Sequence, residues 1–198
     1  NTFVIGDMPF GSYNVSLEEA VRNANRLFME SGCDCIKLEG GADMAPVIKA
    51  IVKAGIPVCA HIGLTPQSAA MMGGFKVQGK SLQAAQELLD SARAVEEAGA
   101  FMVVLEGIPK MLADVITQKI SIPTMGIGAG AGCDMQVLVA QDMLGMNEWV
   151  PKFAKKFADL HTIIIDAYNE YVKESNERTF PDHDTQYNAV IEGIENLK

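Results

Sequence analysis

With 198 residues, 48% of them hydrophobic and 21% charged, the chain has the size and composition of one soluble globular domain with a substantial core. A formal net charge of -9 argues against a general nucleic-acid binder, because phosphate contacts need clustered Lys and Arg, and short basic runs such as KKF at 155–157 do not supply them. No apolar run approaches the ~20 residues that span a bilayer, and no signal-like segment opens the chain, so no membrane partner is expected.

The chain opens at Asn1 and enters the strand-like run FVIGD almost at once, which reads as the interior of a longer protein. From there to about residue 145 a short β-rich run, a turn and a helix ending near Gly recur. Strands are predicted over 2–5, 35–38, 57–61, 101–105 and 124–127, and helices over 16–31, 44–54, 81–98 and 109–118. Ser16 followed by Glu19 is a capping box, and Gly32, Gly55 and Gly99 fall where helices should stop. After about residue 150 the pattern changes to one long amphipathic helix over 152–175, a surface loop over 180–188 and a last helix over 184–197. His161 and His183 fall in these segments and read as surface residues. Strand and helix alternating through short connections predict a parallel sheet, whose strands are covered on both faces. The whole is expected to be a single domain, with βα units to about residue 150 and C-terminal helices from about 151 to 198.

Four cysteines, Cys33, Cys35, Cys59 and Cys133, lie in or beside apolar segments without the C-x-x-C pairs of a zinc site. They read as reduced thiols in or near the core, which points to a cytoplasmic protein. A Cys33 and Cys35 metal pair is the weaker alternative, as no second pair accompanies it.

Polar residues recur near the carboxyl ends of the predicted strands: Asp7 after FVIG, Glu39 after CIKL, His61 ending PVCAH and Glu106 after MVVL. That is where catalytic groups collect in parallel α/β folds. Lys37 and Glu39 are two apart on one strand and so share a face. If that strand is covered on both sides, each charge needs a partner or a ligand. Taken alone, Asp7 also reads as a turn residue before Pro9, and His61 as a hydrogen-bonded core histidine. Three carboxylates with no cysteine beside a base suit Mg²⁺, which chelation by a 2-oxo acid would complete, polarising the ketone while a further carboxylate moves the proton. The run GIGAGAG at 126–132 does not have the G-x-G-x-x-G spacing of a dinucleotide site, and its glycines more plainly let backbone approach a ligand.

The segments GDMPFGSY (6–13), KLEGG (37–41), VCAHIGLTPQS (58–68), GGFKVQGK (73–80), VLEGIP (104–109), IPTMGIGAG (122–130) and PKFAKKF (151–157) closely resemble the ketopantoate hydroxymethyltransferase family over nearly the whole chain. The resemblance implies a (β/α)8 TIM barrel of the phosphoenolpyruvate and pyruvate-binding type, assembled as a homodecamer. It implies transfer of a hydroxymethyl group from 5,10-methylenetetrahydrofolate to 3-methyl-2-oxobutanoate, giving 2-dehydropantoate for pantothenate synthesis. By the same resemblance Asp7 binds both metal and substrate, Glu39 binds the metal, Lys37 contacts the oxo acid, His61 orients it and Glu106 is the proton acceptor. Two departures stand out. The family carries two more βα units upstream, with a Gly-Asp-Ser motif, so this chain matches the last six units and the C-terminal helices. Met135 stands where the family usually has Gly in a D-G-Q run, which is expected to perturb the loop after GIGAG. Another Mg²⁺-enolate reaction of the same superfamily, a carbon-carbon lyase or a mutase, is the runner-up, and an inactive scaffold subunit is the reading from a different class.

Overall fold

The strands are short apolar runs, each carried through to the polar residue at its end: β1 Ile5–Asp7, β2 Cys35–Glu39, β3 Val58–Gly63, β4 Met102–Glu106, β5 Thr124–Ile127 and β6 Met135–Gln136. In this computed structural model, which describes residues 2–197, all pair in parallel and in chain order, β1-β2-β3-β4-β5-β6. Helices α1 Leu17–Ser31, α2 Ala45–Lys53, α3 Leu82–Glu97 and α4 Lys110–Lys119 make the crossovers after β1 to β4. Adding each strand beside the last, with helices packed on one face, curls the sheet as part of a barrel.

Alternation along the strands divides the core into two layers. On the helix-covered face Ile36, Leu38, Ala60, Ile62, Val103 and Leu105 pack with Ala24, Ile48, Ile51, Val95 and Ile116 of the four helices. Ile51 is fully buried there, and truncating it to Ala would cost ~2–5 kcal/mol through lost burial and the cavity left behind. On the other face Cys35, Cys59, Met102, Val104 and Ile127 form a smaller apolar layer. Lys37, Glu39, His61 and Glu106 have the parity of this second layer and continue it toward the carboxyl ends of the strands.

Several helix limits follow from local chemistry. Ser16 caps α1 by accepting from the Glu19 N–H, Gly32 closes it in the left-handed conformation, and Ser81 caps α3 through the Ala84 N–H. The first strand lies later than its predicted span of 2–5. The Val4 N–H donates to the Asp34 carboxylate at 2.8 Å, and the ladder begins only at Ile5 opposite Cys35. Asp7 is thereby the last residue of a strand and not only a turn residue before Pro9.

The expectation of six βα units is corrected after β5. The connection over 128–134 carries no helix, Gly128 and Gly130 have positive φ, and the chain passes directly into the two-residue strand β6. Asp134 fixes this loop by accepting from the Thr124 N–H at 2.8 Å and hydroxyl at 3.0 Å, bonds that hold its carboxyl below the usual range. Met135 takes an ordinary strand conformation and packs against the Cys35, Cys59, Met102 layer, so the backbone there makes no demand for glycine.

The chain separates into a unit Asn1–Leu138, which holds the sheet, and a unit Val139–Lys198. The second contains α5 Ala140–Met143 and α6 Leu160–Glu177. Helix α6 starts eight residues later than the predicted 152–175, because Asp159 caps it at Thr162 and Lys156 instead ties the preceding loop by donating to the Asn147 and Glu148 carbonyls at 2.9 Å each. The helix predicted over 184–197 does not form; among the described residues only the 3-10 turn Ile194–Asn196 appears there. Asp182 captures the N–H groups of Asp184 and Thr185, and Val190, Ile191 and Leu197 are exposed, leaving a short helix without the packing that stabilises one. His183 is on the surface as expected, while His161 is half-buried with Nδ1 3.4 Å from the Met146 carbonyl oxygen.

Candidate active site

Four neighbouring strands each contribute to one charged row. Register sets Asp7 opposite Lys37 and Glu39 opposite His61, while Glu106 lies opposite Gly63, two residues beyond His61. Lys37 Nζ is 2.9 Å from Asp7 Oδ1 and 3.7 Å from Glu39 Oε1, and 3.3 Å from His61 Nδ1. His61 Nε2 lies 3.2 Å from Glu106 Oε2 and 3.0 Å from the Leu64 carbonyl oxygen. All five residues singled out by the sequence are therefore brought together.

Burial differs along the row. The Glu39 and His61 side chains are each 4% exposed, and Asp7, at the β1 end, is 53% exposed. The Lys37–Glu39 pair is a buried ion pair, whose desolvation must be offset by geometry and further hydrogen bonds. Glu39 Oε2 has such a bond, from the Gln67 backbone N–H at 2.9 Å, which leaves Oε1 facing Lys37 and His61.

The partners of His61 fix its tautomer. The Leu64 carbonyl can only accept, so Nε2 carries the ring hydrogen and shares it with Glu106; an ammonium can only donate, so Nδ1 accepts from Lys37. His61 thus couples the cation on β2 to the carboxylate on β4 and holds Glu106 Oε2 by a donated hydrogen. The approach of β3 to β4 here needs Gly63, whose φ is +94 and whose added Cβ would overlap the Glu106 carbonyl oxygen.

Beneath the row, burial raises the Cys35 thiol to about 11 and the Cys59 thiol to about 12, and on the helix-covered side it raises Cys133 as well. All four cysteines are free and buried, so the structure gives them a packing role.

Among the described residues no group of three His, Cys, Asp or Glu side chains forms a ready metal cage. Asp7 and Glu39 still offer the oxygen donors suited to Mg²⁺, which binds through one or two carboxylates and fills its remaining positions with water and substrate. In this structure Lys37 Nζ stands between the two carboxylates. Two residues absent from the sequence-based site also converge here, Tyr13 and Gln67, both inside motifs already quoted, Tyr13 ending GDMPFGSY and Gln67 next to last in VCAHIGLTPQS.

A curled parallel α/β sheet, bent as part of a barrel, that joins a lysine, a histidine and three carboxylates at the carboxyl ends of four adjacent strands places the chain in the parallel α/β class. A family model described as ketopantoate hydroxymethyltransferase matches residues 1–183, and the chain belongs to that family. It is 59% identical over 182 residues to a 3-methyl-2-oxobutanoate hydroxymethyltransferase of Clostridium novyi (strain NT), covering 91% of this chain and 66% of that one. It is 52% identical over 198 residues to the protein of the same name from Enterococcus faecalis (strain ATCC 700802 / V583), covering 100% of this chain and 72% of that one. The chain thus spans about two thirds of the length of the curated relatives it matches. A crystal structure of phosphonopyruvate hydrolase shares the fold with a TM-score of 0.51 at 14% identity, covering 94% of this chain and 65% of that one. No helix among the described residues is long and apolar enough to cross a membrane.

Proposed function

We infer that the chain carries the catalytic strand ends of an enzyme that transfers a hydroxymethyl group from 5,10-methylenetetrahydrofolate to 3-methyl-2-oxobutanoate, giving 2-dehydropantoate and tetrahydrofolate with uptake of one water. The observation that carries the reading is the unbroken row from Asp7 through Lys37 and His61 to Glu106, which puts a cation and a base on one face of the sheet. Family membership supplies the substrate class, and a (β/α)8 barrel completed by further strands is the architecture in which the row would face a closed site.

Asp7 and Glu39 are the residues that would hold Mg²⁺, which when bound would polarise the ketone of the oxo acid. Lys37 carries its positive charge to the same place, where it stabilises the negative charge that develops on the ketone oxygen. Glu106 accepts the proton from C3 of the oxo acid. The electron pair of that C–H bond then forms the new carbon-carbon bond to the one-carbon unit. His61, donating from Nε2, keeps the Glu106 carboxylate turned toward the substrate and disfavours its rotation away.

The test uses the full-length protein, with purified 3-methyl-2-oxobutanoate and 5,10-methylenetetrahydrofolate, following 2-dehydropantoate. Formation of that product only when the one-carbon donor is present supports the reading. Turnover of the oxo acid without any donor would assign the site to a lyase or mutase reaction instead.

A further inference from the structure

We propose that Tyr13 and Gln67 are positioning residues that lock the Glu39 carboxylate in place and tie the segment after Asp7 to it, an inference that rests on the reading of Glu39 and Asp7 given above. The observation is a closed circuit of hydrogen bonds. The Gln67 backbone N–H donates to Glu39 Oε2 at 2.9 Å, the Gln67 side-chain Nε2 donates to the Met8 carbonyl at 3.0 Å, and Tyr13 donates to Gln67 Oε1 at 2.7 Å. The Glu39 backbone N–H then donates to the Tyr13 oxygen at 3.3 Å, which closes the circuit on the residue where it began.

Each donor direction is forced by the next. The Met8 carbonyl only accepts, so the Gln67 amide must present nitrogen there and oxygen to Tyr13. Tyr13 therefore spends its hydrogen on Gln67 and keeps its lone pairs for the Glu39 N–H. At 2% exposure Tyr13 has no water to replace either partner, and burial pushes its hydroxyl up to about 12, so it remains a donor across the working range. Met8 is anchored in turn, its N–H donating to the Lys37 carbonyl at 2.9 Å. Three segments are thus fixed to one another: the turn after β1 next to Asp7, the end of β2, and the turn after β3 that holds Gln67.

The consequence concerns Glu39 Oε1. With Oε2 held by a backbone donor whose own position is set by the Gln67 side chain, rotation of the carboxylate is blocked, and Oε1 faces the site at 3.7 Å from Lys37 and 4.0 Å from His61. A glutamate so held loses little freedom on binding a cation or a polarised substrate, and preorganisation of that kind raises affinity without adding a contact.

The test compares Tyr13→Phe, Gln67→Met and the double variant in the full-length protein. Gln67→Met keeps the length of the side chain and the backbone N–H while removing both amide bonds. Amide hydrogen exchange at Gln67, which needs neither metal nor substrate, is expected to quicken about tenfold or more in each single variant, with no comparable change at the core amide of Val103. The Mg²⁺ binding midpoint and the KM for the oxo acid are expected to rise about tenfold while kcat falls less. Because the two side chains are links of one circuit, the double variant should exceed either single by no more than about twofold. Unchanged Gln67 exchange, or effects that multiply in the double variant, would overturn the proposal. A loss of melting temperature with the exchange and both affinities within twofold of wild type would likewise overturn it, leaving a stabilising role only. Absence of 2-dehydropantoate formation in the wild type would instead sink the functional reading, while Gln67 exchange still decides the circuit.

Discussion

Glu106→Gln isolates the proposed proton acceptor with little else disturbed. Glutamine has the same shape and keeps an oxygen where Glu106 Oε2 now accepts from His61 Nε2 at 3.2 Å. A hydrogen bond to a charged group contributes ~1.5–3 kcal/mol and a neutral one ~0.5–1.5, so the exchange should cost about 1 kcal/mol of stability. For a domain of this size that corresponds to a drop of ~2–4 °C in melting temperature. Loss of a general base costs ~10² to 10⁴ in rate, or ~3–5 kcal/mol on the barrier. The step can be read directly, without the folate, by following exchange of the C3 proton of 3-methyl-2-oxobutanoate in D₂O by NMR. The variant should exchange that proton at least a hundredfold more slowly while binding the oxo acid within about threefold of wild type. A loss below tenfold would refute the assignment and move the base elsewhere.

Asp7→Asn removes the carboxylate 2.9 Å from Lys37 Nζ, and is expected to weaken Mg²⁺ and oxo-acid binding together; a Mg²⁺ titration with an unchanged midpoint would count against its role. Lys37→Met leaves Glu39 buried without its cation, so stability should fall by ~3–5 kcal/mol and the melting temperature with it. Turnover should be lost even well below that temperature, whereas full activity in the folded variant would reduce the pair to a structural one. Stability should also decline in alkali. Cys35, Cys59 and Tyr13 are held up to about 11, about 12 and about 12, so above pH 9 the unfolded chain releases protons that the folded chain keeps. The contribution is fully present below pH 9 and is lost as pH rises toward 11–12; a melting temperature that climbs between pH 8.5 and 10.5 would contradict this. The same burial should leave Cys35 and Cys59 unreactive to a disulfide reagent in the native protein at pH 7.5, and reactive on unfolding.

What the sequence made legible, and what it did not, divides by the range of the interactions involved. The four crossover helices were legible because caps and apolar periodicity are local, as at Ser16 and Ser81. The start of α6 depended on Asp159 outcompeting an apolar pattern that runs on through Phe153 and Phe157, and the failed last helix depended on packing that a periodic pattern does not report. Strand β6 is two residues long and carries no signal of its own; it exists because Met135 and Gln136 find β5 beside them. Gln67 was hidden for a similar reason, since a glutamine in a 3-10 turn over Pro66–Ser68 looks like any surface residue until Tyr13, 54 positions away, is placed against it.

The charged row shows how a site of long-range origin can nonetheless be anticipated. Alternation alone puts Lys37 and Glu39 on one face, but leaves open which face that is. The intervening residues settle it: Ile36 and Leu38 are the ones the helices bury, so Lys37 and Glu39 have the other side. Parallel register then carries the row across the sheet. Asp7 meets Lys37, Glu39 two residues on meets His61, and Glu106 lies two residues beyond the partner of His61, so the row climbs along the strand direction as it crosses from β1 to β4. A stagger of this kind is what closing strands into a barrel requires. Because every step is of two residues, parity is kept and all five side chains stay on one face. A slip of one residue between any two strands would turn the remaining members toward the helices, where Ile48, Ile51 and Ile116 leave no room for a charge.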